Sequence, residues 1–233
     1  LDITSLKFQK FIDIITKYGI EIMDIPIAQE EVDASKDVYN NKVREKFAED
    51  ERTYNDIAEQ FGFDPIATST KLKLKDVLNK IMESKYAAPA EKALAQELLK
   101  YASDLETVTF SKTAPIAGWY SEAMQTVVDA RYSSKNYKGG GLPIEYVILH
   151  QEVHRRTDQA YEEDKAFAKK IDELHKIAKD KMTDAQYKDI FGKKPLYGVD
   201  NSQDFMAEAM TNPKFQEYLG NIEYDITSES VWK

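Results

Sequence analysis

The chain has 233 residues, a formal net charge of −9 and 42% hydrophobic residues, which suits one large domain or two small ones with a real core. The acidic balance argues against a nucleic-acid partner. No stretch approaches the roughly 20 apolar residues of a membrane helix, so we expect no membrane partner. The absence of cysteine excludes disulfides, thiolate catalysis and cysteine-ligated zinc.

The first hundred residues are predicted to be mainly helical. Apolar residues recur at helical spacing over residues 6–15, 35–60, 74–84 and 89–102, and Pro89 is well placed for a first helical turn. These segments carry no cluster of chemically useful residues. We therefore predict a helical N-terminal region over residues 1–104, acting as scaffold or as a wall on the substrate side.

The character of the chain changes near Leu105. Residues 106–110 are β-branched and aromatic, which predicts a short strand, and residues 119–120 and 126–132 are two further strand candidates joined by a turn over 121–125. The polar segment 133–141 ends in three glycines. These glycines lack the Lys-Ser/Thr that follows a phosphate-binding loop, so a linker or a loop at the rim of a substrate site is predicted.

Helices dominate again from Pro143 onwards. One helix is predicted to begin at Pro143, and a polar, helical stretch follows it to about residue 178. Thr183 is predicted to cap a short helix ending at Phe191. A last strong helix is predicted over residues 202–212, and Pro213 opens a turn to Leu219.

Two of the three histidines, His150 and His154, lie four residues apart in the predicted helix that begins at Pro143. This spacing places both imidazoles on one face about one turn apart. Neutral imidazole is a good Zn²⁺ ligand, so the pair could hold one tetrahedral ion. Core packing also explains such a pair, and both interpretations stay open. His175 has no partner at ligand spacing and is predicted to be a surface or half-buried helix residue.

The residue after the first histidine differs from the usual zincin motif. That motif is H-E-x-x-H, in which the glutamate polarises the zinc-bound water. Here the position is Gln151, which cannot take a proton. Glu152 does not replace it, because the next residue points about 100° away around the helix. Loss of a general base costs on the order of 10²–10⁴ in rate.

A second pair of interest is Asp204 and Glu208, four residues apart on the predicted helix over residues 202–212. A histidine pair on one helix and a carboxylate pair on a later helix are typical of a three-ligand catalytic zinc site. One carboxylate binds the metal and the other holds a ligating imidazole in its tautomer. The alternative is that both carboxylates are solvated and that Asp204 stabilises a helix N-terminus.

These motifs together resemble a known family. The Tyr197-Gly pair, followed by D-F-M-A-E-A from Asp204, is similar to the catalytic domain of anthrax lethal factor and its relatives. Those are zincins with H-E-x-x-H, a Tyr-Gly and an acidic ligand that opens an E-F-x-A-E-A helix. The closing T-N-P-K-F-Q of residues 211–216 is also similar to zincin-like peptidase domains of large phage and mobile-element polyproteins. The resemblance covers roughly residues 105–219.

The resemblance implies an α+β fold, with a zincin-like metallopeptidase core and small sheet in residues 105–233. It implies Zn²⁺ ligands at His150, His154 and Asp204, although the family normally has Glu at the third position. Glu208 then matches the second carboxylate, and the Tyr197 hydroxyl could stabilise an oxyanion. A second register makes Glu208 the ligand and Asn212 its supporting partner.

The implied function is a zinc-dependent endopeptidase that acts on a peptide or protein substrate. Gln151, whether natural or introduced, predicts that the chain is inactive as it stands. One alternative is a degenerate zincin that acts as a structural or protein-binding module. Another is a mainly helical structural component with an accidental histidine pair. We expect the chain to be part of a larger polypeptide, encoded by a phage or mobile element or secreted.

Overall fold

A computed structural model describes residues 52–114, 117–121, 125–135, 142–191 and 200–222. In these ranges the chain combines helices with a four-stranded mixed sheet, which confirms the predicted α+β class. The described residues belong to two compact units, residues 52–155 (the sheet unit) and residues 156–222 (the helical unit). None of the helices in the described ranges is long and apolar enough to cross a membrane.

In the sheet unit, helices come before, between and after the strands along the chain. Its elements, in chain order, are α1 (Tyr54–Phe61), β1 (Ser69–Lys73), α2 (Leu74–Glu83), α3 (Pro89–Tyr101), β2 (Thr107–Ser111), β3 (Gly118–Ser121), β4 (Gln125–Val128), a 3₁₀ turn (Ala130–Ser133) and the first part of α4 (Ile144–Glu163). The predictions of α2, α3, β2 and β3 are confirmed to within a few residues. The division into a helical region 1–104 and a catalytic domain 105–233 stays a prediction.

The sheet has the strand order β1-β2-β4-β3, in which β2 and β4 are parallel and the other pairs antiparallel. Strand β1 was not predicted, because its sequence S-T-K-L-K lacks an apolar run and only alternates between exposed and half-buried positions. This alternation suits the outer strand of a sheet. The strand predicted over residues 126–132 was too long, because Asp129 accepts a hydrogen bond from the Arg131 amide and begins the 3₁₀ turn.

One face of the sheet carries α4. In the register of the strands, Val108, Thr126 and Tyr120 stand side by side, and Phe110, Val128 and Gly118 form the next row on the same face. Thr126 hydrogen-bonds to Glu152 of α4. The apolar side of α4 is fully buried, with the members Ile144, Ile148, Leu149 and Val153. Burial of such a stripe contributes about 1.5–3 kcal/mol for each large aliphatic side chain.

The first turn of α4 is held by a buried ion pair, which we call the N-terminal anchor. The Arg52 guanidinium donates two hydrogen bonds to the Glu145 carboxylate, at 2.8 and 2.7 Å, and both side chains are almost completely buried. Gln60 and Ser84 donate two more to the same carboxylate. Burial raises the pKa of Glu145, but the hydrogen bonds and charge of Arg52, with those two donors, outweigh it and the pKa is lowered.

The helical unit contains the end of α4 and four more helices. These are α5 (Lys165–Lys181), α6 (Asp184–Phe191), α7 (Ser202–Thr211) and α8 (Pro213–Gly220). Asparagines cap the last two helices, because Asn201 accepts from the Asp204 amide and Asn212 from the amides of Lys214 and Phe215. The turn predicted over residues 213–219 is therefore wrong: the Asn212 cap and a proline in the first turn start a helix.

Several predicted features lie outside the described residues. They are the first helix over residues 6–15, most of the helix predicted over 35–60, the three glycines of 139–141, and Tyr197 with its neighbouring glycine. The predictions made for them stay predictions.

Replacing Arg52 with methionine tests the N-terminal anchor. The change leaves the Glu145 carboxylate buried without its cation, so we expect a loss of about 3–5 kcal/mol in the free energy of unfolding at neutral pH. Because folding lowers the pKa of the Glu145 carboxyl, this group stabilises the folded state at pH values above its ordinary pKa of 4.5. The stabilisation is lost as the pH falls. The difference between variant and wild type should therefore shrink in acid. Urea unfolding from pH 7 to pH 3 measures it.

The matched control is Lys75→Met, which removes an exposed ion pair with Asp104. Surface pairs contribute little, so this variant should unfold like the wild type. An Arg52→Met variant that is as stable as the control would contradict the account of the anchor.

Candidate metal centre

His150 and His154 project from the same side of α4 and their rings meet. The two Nε2 atoms are 3.2 Å apart, and the ring centroids are 4.8 Å apart at an interplanar angle of 72°. The i, i+4 spacing is the local cause, because a helix stacks such residues one turn apart. The predicted pairing of the imidazoles on one face is therefore confirmed.

The Nε2 separation suits a shared cation. Two nitrogens at about 2.0–2.1 Å from one tetrahedral Zn²⁺ are about 3.3–3.4 Å apart, close to the observed 3.2 Å. In the metal-free protein the same separation suits an N–H···N hydrogen bond, in which one Nε2 carries the proton. Binding of one metal ion by both Nε2 atoms would require each ring to carry its proton on Nδ1.

Both imidazoles are buried, at 3% exposure for His150 and 7% for His154. Burial, and then the charge of His154, lowers the pKa of His150 from 6.5 to about 3. The imidazole of His150 is therefore neutral at physiological pH, which is the form that binds metal. The donor chemistry of the pair fits a divalent transition metal such as zinc.

Two tyrosines lie against the histidine rings. Tyr120 of β3 stacks parallel to His154, with centroids 6.0 Å apart at 11°. Tyr146 is one turn earlier on α4, and its ring centroid lies 5.4 Å from that of His150. The two tyrosine rings therefore form part of the surroundings of the imidazoles.

Gln151 faces β3. A Cβ atom added to Gly118 would lie 2.9 Å from Val147 Cγ1 and 3.0 Å from Gln151 Cγ, closer than side-chain carbons normally approach. Glycine at position 118 is what allows the β3 backbone to lie directly against this turn of α4. The Gln151 side chain therefore lies at the contact between the helix and the outer strand β3.

Glu152 is engaged elsewhere and is not a substitute base. Its carboxylate is fully buried and accepts a 2.5 Å hydrogen bond from the Thr126 hydroxyl. The same carboxylate also accepts two hydrogen bonds from the Arg155 guanidinium, at 3.1 and 2.6 Å. This agrees with the expectation that Glu152 points away from the histidine face.

The two acidic candidates of α7 have different surroundings. Asp204 is half-buried at the first turn, where its carboxylate accepts from the Asn201 side chain and its amide donates back to that residue. Glu208 is 1% exposed and accepts a 2.8 Å hydrogen bond from Asn212. Asp204 thus serves the helix cap, whereas Glu208 is the buried carboxylate with a supporting amide.

His175 is half-buried, as predicted, but it has a partner that the sequence did not indicate. Its Nδ1 lies 3.3 Å from the Ser202 hydroxyl, and that hydroxyl also donates to the Asp172 carboxylate at 2.5 Å. The Tyr161 hydroxyl donates to the same carboxylate. The cluster joins α5 to the start of α7 through hydrogen bonds between residues 11 to 30 positions apart in the chain.

Within the described ranges, no group of three or more His, Asp or Glu side chains is arranged to hold a metal ion. The described site therefore consists of two imidazoles, and the position of Tyr197 lies outside the described residues.

The pH dependence of stability tests the burial of His150. A folded pKa near 3 against 6.5 in the unfolded chain means that the unfolded state binds more protons between these values. Stability therefore falls as pH drops from about 6.5 towards 3. The variant His150→Asn should lack this part of the slope. Urea unfolding in the presence of a chelator measures it, and an unchanged slope in the variant would contradict the buried, neutral imidazole.

No family model, curated protein or solved structure matches the chain. Its function is therefore inferred below from its own residues and from the geometry of the histidine pair.

Proposed function

We propose that the chain contains a zinc-metallopeptidase domain of zincin type, with Zn²⁺ bound by His150 and His154. The observation that carries this proposal is the pair of buried imidazoles whose Nε2 atoms lie 3.2 Å apart. Two histidines that only fill a hydrophobic core have no reason to turn the same ring nitrogen towards each other, as His150 and His154 do. The later Tyr-Gly and the acidic helix support the same family, whereas Gln151 departs from the family motif.

The resemblance implies that the third ligand is a carboxylate of α7. Glu208 is favoured because its carboxylate is buried and is held by the Asn212 amide, as a ligating carboxylate usually is. Asp204 is less favoured because its carboxylate takes part in the cap of its own helix. This choice corresponds to the register with Asn212 as the supporting partner.

When bound, zinc would supply a Lewis acid that polarises a carbonyl and lowers the pKa of water. The residues of the chain then have separate tasks. His150 and His154 hold the metal as neutral ligands, and the Tyr197 hydroxyl is proposed to donate a hydrogen bond to the oxyanion of the peptide. Gln151 can donate or accept a hydrogen bond through its amide, but it cannot remove a proton from water. The chain as it stands is therefore proposed to bind metal with little peptidase activity.

A second candidate is a degenerate zincin that acts as a structural or protein-binding module. The observation in its favour is Gln151 itself, in close contact with Gly118 of β3. In that case the metal, or the histidine pair alone, would serve the fold and not hydrolysis. The two candidates differ in how the chain responds when the carboxylate is restored.

Zinc binding is the first test of the proposal. We expect the purified chain to bind one Zn²⁺, and thermal unfolding should shift upwards by about RT ln(1 + [Zn²⁺]/Kd) in free energy. His150→Asn and His154→Asn should each abolish binding, because two ligands on one helix act together. Isothermal titration with a chelator-stripped protein measures it.

His175→Asn, on the other unit, is the matched control and should bind zinc as the wild type does. A wild-type chain that takes up no zinc, or His150 and His154 variants that bind it normally, would refute the metal centre.

Restoring the general base distinguishes the two candidates. Gln151→Glu should raise peptide hydrolysis by on the order of 10²–10⁴ over the wild type, measured on a mixture of fluorogenic peptides. The double variant Gln151→Glu with His154→Asn controls for the metal and should be inactive. If Gln151→Glu binds zinc and remains inert, the protein-binding candidate is favoured over the peptidase.

A further inference from the structure

Glu152 and Arg155 form a second buried charge cluster on α4, which we call the sheet anchor. It consists of Thr126, Glu152, Arg155 and Glu106. The Glu152 carboxylate links the Thr126 hydroxyl of β4 to the Arg155 guanidinium. Arg155 in turn donates a 2.6 Å hydrogen bond to Glu106, which lies directly before β2. The cluster therefore attaches one turn of α4 to both central strands.

The cluster is buried and strongly paired. Glu152 and Thr126 have no exposed surface, and Glu106 is 5% exposed. The Glu152 carboxylate accepts two hydrogen bonds from the Arg155 guanidinium, at 3.1 and 2.6 Å. A buried carboxylate with a cation and a hydroxyl donor is held in one orientation, because leaving any partner unpaired is costly.

The position of the anchor on the helix relates it to the histidines. Each residue of a helix advances by 100°, so Glu152 lies about 200° around the axis from both His150 and His154. The anchor thus holds the flank opposite the imidazoles. Tyr120, which stands beside Thr126 in the sheet register, stacks on His154. A rotation of α4 would move the anchor and the imidazoles together.

We propose that Glu152 and Arg155 are positioning residues, which fix the rotation of α4 on the sheet and so hold the two imidazoles at chelating distance. The inference rests on the proposed function for the identity of the metal. The pairing of the imidazoles itself is a property of the metal-free chain, so the positioning role can be tested with and without zinc.

Three variants distinguish a positioning effect on the imidazoles from an effect of local charge and from a loss of stability of the whole fold. Glu152→Gln removes the ion pair with Arg155. Thr126→Val removes one hydrogen bond of the anchor, changes no charge, and keeps the shape of a fully buried side chain. Glu145→Gln is the matched control, because it removes a buried carboxylate from the N-terminal anchor of the same helix.

Two measurements are made on each variant. Zinc titration of the folded protein should show a dissociation constant raised on the order of 10–100-fold in Glu152→Gln, and raised to a smaller extent in Thr126→Val. In the metal-free protein, long-range ¹H–¹⁵N correlation spectra report the histidine tautomers. The wild type and Glu145→Gln should each show one Nε2-protonated ring facing an unprotonated Nε2. Glu152→Gln and Thr126→Val should show averaged tautomers in both rings.

The outcomes have separate meanings. Equal losses in Glu145→Gln and Glu152→Gln would overturn the proposal, because they would reflect stability alone. A second result would also overturn it: weaker zinc binding in Glu152→Gln, normal zinc binding in Thr126→Val, and wild-type histidine tautomers in both variants. The weaker binding would then come from the change of charge alone. If the wild type binds no zinc but the tautomers respond as expected, the positioning role stands and the metal centre fails.

Discussion

The attachment of α4 to the sheet by buried charges determines where the candidate site lies. Glu145 at the start of the helix is paired with Arg52, and Glu152 two turns later is paired with Arg155 and Thr126. Buried ion pairs contribute little net stability compared with apolar packing, but they are costly to break and demand defined partners. The apolar stripe of α4 alone would allow small rotations. The Glu152 cluster does not, because it ties the helix to both central strands, whereas the Glu145 pair holds the start of the helix.

That orientation brings the turn with Gln151 against the outer strand β3 and places His154 beneath Tyr120. The close approach depends on Gly118, since any side chain there would collide with α4. Burial then keeps His150 neutral. The features that suit a metal ion therefore follow from the packing of one helix on one sheet: two buried imidazoles, a short Nε2 separation and aromatic neighbours. The proposed deficiency, an amide in place of a carboxylate, lies in the same turn.

Local patterns in the sequence predicted the local features. The i, i+4 spacing predicted that His150 and His154 share a face, and apolar periodicity predicted α2, α3 and α4 to within a few residues. The failures have local causes too: β1 has no apolar run, the Asp129 cap ends β4 early, and the Asn212 cap begins α8. What no local pattern could indicate were partners distant in the chain. Arg52 and Glu145 are 93 residues apart, and Arg155 and Glu106 are 49 apart. The sequence could not distinguish the roles of Asp204 and Glu208, because both are carboxylates on the same face of one helix. The burial of the Glu208 side chain and the hydrogen bonds of the two carboxylates distinguish them.

The most direct measurement of the central claim is an anomalous-scattering experiment at the zinc absorption edge on crystals grown with Zn²⁺. The account predicts a single strong peak about 2.0–2.1 Å from Nε2 of both His150 and His154, with a carboxylate oxygen completing the protein ligands. Crystals that show the two imidazoles joined by their own hydrogen bond, with zinc bound elsewhere or not at all, would contradict it.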